Sequence, residues 1–179
     1  MKTYIALFRG INVGGKNVLP MKELVTILED LGCRNARTYI QSGNAVFASE
    51  EAALWLAQGI GAAIRERCGF EPHVQLLELD DIERAIAENP FPDAEADPTS
   101  LHIGFLAFVP EAPDLTALEG LKRDSERYRL IDRRFYLHAP EGVGRSALAA
   151  NAEKLLGVPM TDRNWRTVAR IREMAQAPS

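Results

Sequence analysis

The chain has 179 residues, 46% hydrophobic and 26% charged, with a formal net charge of −4. That length and apolar content suffice for a buried core without disulfide or metal staples, and the acidic total argues against nonspecific duplex binding, which needs a strongly basic domain. No apolar run is long enough to cross a membrane, and the N-terminal stretch lacks the pattern of a secretory leader.

The elements read in chain order as follows. A first strand covers 4–8. A helix starts near Pro20, with Met21, Leu24, Val25, Leu28 and Leu31 at helical spacing, and stops before Gly32. "RTYIQ" and "NAVFAS" read as two strands joined at Ser42-Gly43. Ser49 is the expected N-cap of a helix reaching Cys68, with Gly69 as its terminator. "HVQLLEL" is the next strand, and Asp80 with Glu83 has capping-box spacing for a short helix ending near Asn89-Pro90. This order, β-α-β-β-α-β, is the ferredoxin-like pattern. The acidic, proline-rich "PFPDAEADP" is the expected linker. Beyond it come a strong apolar strand, "SLHIGFLAFV", and a helical piece near 114–120. A hairpin of "RYRLI" and "RFYLHA" turns around Asp132-Arg133, and helices near 146–156 and 163–175 close the chain. The second half is thus a related β-α-β-β-α arrangement with an extra C-terminal helix. The expected fold is α+β with mostly antiparallel sheets: a ferredoxin-like subdomain at 1–89, a linker at 90–99 and a second α+β subdomain at 100–179.

Charge is unevenly spread. Residues 1–49 carry six basic against three acidic groups, 50–119 three against fifteen, and 120–179 twelve against seven. Two basic ends therefore flank an acidic middle. Cys33 and Cys68 lack any metal-ligand spacing, and a cytoplasmic setting with reduced thiols is the expectation.

The stretch "RGINVGGKN", Arg9 to Asn17, nearly spells a nucleotide-binding P-loop. Asn17 stands where that loop needs the Ser or Thr that holds magnesium, and Val18-Leu19-Pro20 intervene before the helix. With no acidic strand end to complete the machine, the P-loop reading fails. What remains is Gly14-Gly15, which permits positive φ and lets amides gather in a concavity, with donors on Arg9, Asn12, Lys16 and Asn17. The bland alternative is a solvated turn. Other chemistries are absent by inspection. "GRSAL" lacks the closing glycine of a nucleophile elbow, and His73, His102 and His138 are scattered. No Rossmann fingerprint appears, and no cofactor is expected. Phe105 and Phe108 in "IGFLAFV" would point to opposite faces, so core packing explains them better than base stacking does.

Three further stretches gather polar residues. "YIQSGN" sets Gln41, Ser42 and Asn44 around a tight turn. "HAPEGVGRS" runs from His138 through a second glycine-rich loop to Arg145 and Ser146 at a helix start, where amides suit an anion. "TDRNW" has Thr161 as the expected N-cap of the last helix, which puts Arg163 and Asn164 near its N-terminus, against the dipole.

Together "RGINVGGKN", "YIQSGN", "GVGRS" and "TDRNW" resemble the bacterial DUF1697 family, a domain of unknown function. The family commonly shows Thr-Thr-Arg-Asn-Trp where this chain has Thr161-Asp162-Arg163-Asn164-Trp165. The resemblance implies an α+β fold with ferredoxin-like elements and brings no established activity. The leading expectation is a protein that binds a small anionic or phosphorylated ligand in a polar, glycine-rich pocket between the two halves. Arg9, Lys16, Arg145 and Arg163 would supply charge; Asn12, Gly14, Gly15, Asn17, Gln41, Ser42, Asn44, Ser146 and Asn164 would shape and orient the site. His138 is the natural proton-transfer candidate. Two alternatives are a single-stranded nucleic-acid module using the basic 120–134 segment, and an interaction domain whose polar motifs serve to fix turns. No membrane partner is expected; the sequence is silent on oligomeric state.

Overall fold

A computed structural model describes residues 1–177. Its elements are β1 (Lys2–Arg9), α1 (Met21–Asp30), β2 (Arg34–Tyr39), β3 (Asn44–Ser49), α2 (Ala53–Cys68), β4 (His73–Glu78) and α3 (Leu79–Ala87). After a 3-10 turn at Pro92–Ala96 come β5 (Leu101–Leu106), α4 (Leu115–Leu121), β6 (Arg127–Ile131) and β7 (Arg134–His138). A second such turn at Val143–Arg145 leads to α5 (Ala147–Leu156), β8 (Met160–Asn164) and α6 (Trp165–Gln176). The chain divides into two units, one of Met1–Glu83 together with the chain from Arg170 onward, the other of Arg84–Ala169.

Each unit holds one four-stranded antiparallel sheet, ordered β2-β3-β1-β4 in the first and β6-β7-β5-β8 in the second. Replacing β1, β2, β3 and β4 by β5, β6, β7 and β8 turns one order into the other, so both halves follow the β-α-β-β-α-β plan. The alternation of strand side chains explains each core. In the first unit Tyr4, Ala6 and Phe8 of β1 share a face with Ala45 and Phe47 of β3, and pack under Leu24, Ile27 and Leu28 of α1 and Leu56, Ile60 and Ile64 of α2. In the second, Leu106, Phe135 and Leu137 meet Leu118 of α4 and Leu148, Ala152 and Leu156 of α5. Each such fully buried side chain stabilises its unit by about 1.5–3 kcal/mol relative to exposure.

Besides shifts of a few residues at strand ends (β2 runs Arg34–Tyr39 and β5 stops at Leu106), three boundaries differ from the sequence expectation. Ser49 does not cap α2, which begins at Ala53; the Ser49 hydroxyl instead accepts from the Glu51 amide in the turn before it. The helix after β4 starts at Leu79, and Asp81 rather than Asp80 reaches back to accept from the Glu78 amide. Most consequentially, Thr161 caps nothing: "MTDRN" is strand β8, paired antiparallel to β5, and α6 begins only at Trp165. Asn164 is the side chain that closes the first turn, accepting from the Thr167 amide at 2.9 Å. The second half therefore carries one strand more than its sequence suggests.

Candidate functional site

The glycine-rich stretch after β1 folds as a small hairpin. Val13 and Lys16 form an isolated bridge, the Lys16 amide donates to the Val13 carbonyl at 3.1 Å, and the Asn12 amide donates to the Asn17 carbonyl at 3.0 Å. Gly14 and Gly15 at the tip have φ of 60° and 72°, the left-handed pair that a two-residue hairpin turn requires. The tip amides therefore serve the hairpin's own twist, with Lys16 at its shoulder.

The asparagines around it turn inward. Asn12 Nδ2 donates to the carbonyls of Leu19 (2.9 Å) and Gln41 (2.8 Å), while its Oδ1 accepts from the Leu19 amide (2.8 Å). Asn17 Nδ2 donates to the Gly10 carbonyl, and Asn44 Nδ2 to the Tyr39 carbonyl. Asn12 and Asn17 also sit at φ near +50°, a conformation that asparagine tolerates better than most residues. These three side chains are thus the stitching of the loops.

That stitching joins the hairpin to the β2–β3 turn. Besides the Asn12 bond to Gln41, the Phe8 amide donates to the Gly43 carbonyl at 2.9 Å. Gly43 is required there: its φ is 89°, and a Cβ would lie 2.5 Å from Ile11 Cδ1 and 2.7 Å from Phe8 Cβ. The same turn holds Ile40 at φ 50° while it is 49% exposed. A β-branched residue in that region is strained and persists only where its surroundings impose it. Within this unit Arg9 at the end of β1, Lys16 on the hairpin, and Gln41 and Ser42 on the β2–β3 turn are exposed, and the Asn12 bond to Gln41 ties the hairpin to that turn.

The second unit holds the other expected residues on separate elements. Ser146 is the N-cap of α5, accepting from the Ala149 amide, and is buried. Arg145 is exposed just before it, and its carbonyl accepts from Arg123, which also pairs with Glu141. Arg163 lies in β8 beside Ile103 and donates to the Asp162 carbonyl; burial outweighs the Asp162 charge and draws its pKa down to about 10. Asn164 is committed as the α6 cap.

His138 stands in a cluster that was not foreseen. Arg127 lies opposite it in the β6–β7 ladder and places Nη2 2.9 Å from His138 Nδ1, so Nδ1 is the acceptor and lacks a proton. The same guanidinium grips Asp93 with two bonds and lies 4.7 Å from the centre of the Phe91 ring. Burial first, then the Arg127 charge, hold the His138 pKa below its ordinary value. A hairpin centred on Asp132-Arg133 already implies the Arg127–His138 pairing. His102 is also engaged, buried with Nδ1 2.7 Å from an Asp162 carboxylate oxygen and Nε2 3.1 Å from the Thr99 carbonyl. Phe105, Phe135 and Tyr136 are buried, while Phe108 is 55% exposed. No helix among the described residues is long and apolar enough to cross a membrane, and no group of three or more metal-ligating side chains occurs among them.

No curated protein matches this chain. Among solved structures it is similar to the conserved bacterial protein SP0830 from Streptococcus pneumoniae, at 28% identity and a TM-score of 0.75 over 98% of this chain and 99% of that one. Residues 1–136 match the family described as protein of unknown function DUF1697, and the chain is a member of that family.

Proposed function

We infer that the chain binds a small anionic or phosphorylated ligand through the joined loops of its first unit. The observation that carries this reading is the investment in pre-shaping an exposed surface. Asn12 spends both its side-chain amide N–H groups and its side-chain carbonyl oxygen on main-chain partners, and Asn12, Asn17 and Ile40 accept left-handed backbone, to hold a stretch whose exposed side chains are Arg9, Lys16, Gln41 and Ser42. Pre-ordered loops lose less entropy on binding, and strain of this kind gathers at binding sites. Arg9 and Lys16 supply the charge; Gln41 and Ser42 supply directional polar groups. Arg145 and Arg163 are the second unit's candidate cations for the same class of ligand.

A second reading has its own observation: Val13 and Val18 on the hairpin loop are 67% and 59% exposed, which suits a protein contact. A thermal-shift screen with sugar phosphates, nucleotides and inorganic phosphate separates the two. A phosphorylated compound at about 100 times its dissociation constant stabilises the fold by about 2.7 kcal/mol. That shift is expected to vanish in Arg9→Ala/Lys16→Ala, whose unliganded melting temperature stays near that of the native chain. A flat screen, or a shift that survives the double substitution, overturns the anion reading and leaves the contact surface.

A further inference from the structure

Strand β6 is an edge of the second sheet, paired with β7 on one side and with no strand on the other among the described residues. In an antiparallel ladder every second residue of such a strand directs its N–H and C=O away from its partner. Along that open side runs a groove of about 450 Å³, lined by apolar Phe91, Leu115, Tyr128 and Leu130 and by charged groups in and between α4 and β6. Of these, Lys122 is paired with Glu119, and buried Glu126 accepts from the Arg123 amide. The volume is that of a ligand-sized cleft. We propose that the groove takes an extended peptide, added to the sheet as a strand beside β6.

The alternation of β6 states what that peptide looks like. Tyr128 and Leu130 point to the face packed under α4 and α5, and Leu115 of α4, 47% exposed, adds an apolar wall on that side. Arg127 and Arg129 point to the other face. Arg127 is already neutralised by Asp93, whereas the Arg129 side chain is exposed and has no hydrogen bond or ion pair among the described residues. An added strand therefore meets the Arg129 cation on one face and, on the other, apolar surface bordered by the Lys122–Glu119 ion pair. The matching segment places an acidic residue opposite Arg129, flanked by apolar residues that turn toward Leu115, Tyr128 and Leu130. Main-chain bonds to the edge supply affinity, and this apolar–acidic–apolar alternation supplies selectivity.

The probe is the capped pentapeptide Thr-Val-Glu-Val-Thr, titrated into the isotopically labelled full chain and followed by the backbone amide signals. Shifts are expected to concentrate on Arg127–Ile131, with at least fivefold weaker binding of the Thr-Val-Lys-Val-Thr control. Arg129→Glu is expected to invert that preference while leaving the melting temperature near that of the native chain, since the exposed Arg129 side chain makes no hydrogen bond or ion pair among the described residues. Three results overturn the proposal: no movement of the β6 signals at millimolar peptide, equal binding of the two peptides, or β6 signals that move with protein concentration alone. The last outcome assigns the edge to a second copy of the chain.

Discussion

Asn12 shows how one side chain carries two structural duties. It makes three hydrogen bonds to main-chain groups, one of them to the amide of fully buried Leu19, and its own backbone is left-handed. A glycine keeps the backbone and loses the bonds; an alanine loses both. Asn12→Gly is therefore expected to lower the unfolding free energy by about 2–3 kcal/mol, at roughly 1 kcal/mol per hydrogen bond. Asn12→Ala is expected to lower it by about 1–2 kcal/mol more, the cost of placing a Cβ in that region. Urea denaturation of the two variants reads both quantities. Equal losses in the pair would remove strain from the account, and losses under about 0.5 kcal/mol would remove the stitching as well. The same residue shows why the site was only partly legible. Asparagine in a polar loop suits either a ligand or a main-chain bridge, and composition alone does not choose. The chemistry favouring the bridge, its tolerance of positive φ, was nonetheless visible beside Gly10, Gly14 and Gly15.

At the level of elements, what could be read depended on whether an element buries an apolar stripe. The helices α1, α2 and α5 and the strands β1, β3 and β5 do, and their periodicity places them within a few residues. Strand β8 does not. Its sequence "MTDRN" has one fully buried side chain, Thr161, and lies at a sheet edge. Polar edge strands lack the alternation that marks a half-buried one, so Thr-Asp ahead of Trp165 imitated a helix cap. The register of β8 has a packing consequence that tests it. Gly104 of β5 lies between Phe135 and Asp162 across the ladders, and a Cβ there would run into the Met160 side chain, with Met160 Cγ 2.8 Å away. Gly104→Ala is expected to destabilise by about 1–3 kcal/mol through overpacking. Adding Met160→Ala makes room, so the double variant should be more stable than the summed single effects by about 1 kcal/mol. Additivity of the two substitutions would place Met160 elsewhere and with it the β5–β8 register.

Over the whole molecule, the uneven charge seen in the sequence is partly internal balance. In the second unit Glu88 pairs with Arg134 and Asp93 with Arg127, so acidic residues from before β5 cancel arginines of the β6–β7 hairpin. Two histidines of that unit then give pH dependences of opposite sign. His102 faces two groups that only accept, a carboxylate and a carbonyl, so both ring nitrogens carry protons and the ring is charged. Burial opposes that charge, but the Asp162 bond and charge, together with the Thr99 carbonyl, outweigh it and raise the pKa above 6.5. The fold thus holds this proton more tightly than the unfolded chain does. Its stabilisation is complete below pH 6.5 and is lost as pH rises through the raised folded value. For His138 the folded pKa lies below 6.5, because burial and Arg127 disfavour its charge. The unfolded chain takes up that proton first, so stability falls as pH drops from 6.5 toward the folded value. Unfolding free energies of His102→Gln and His138→Gln, measured against the native chain across this range, separate the two. The deficit of His102→Gln should shrink on the alkaline side, whereas His138→Gln should gain relative to the native chain on the acid side. A His102→Gln deficit that stays constant with pH would mean that Asp162 holds a neutral ring and that there is no charge pair at this position.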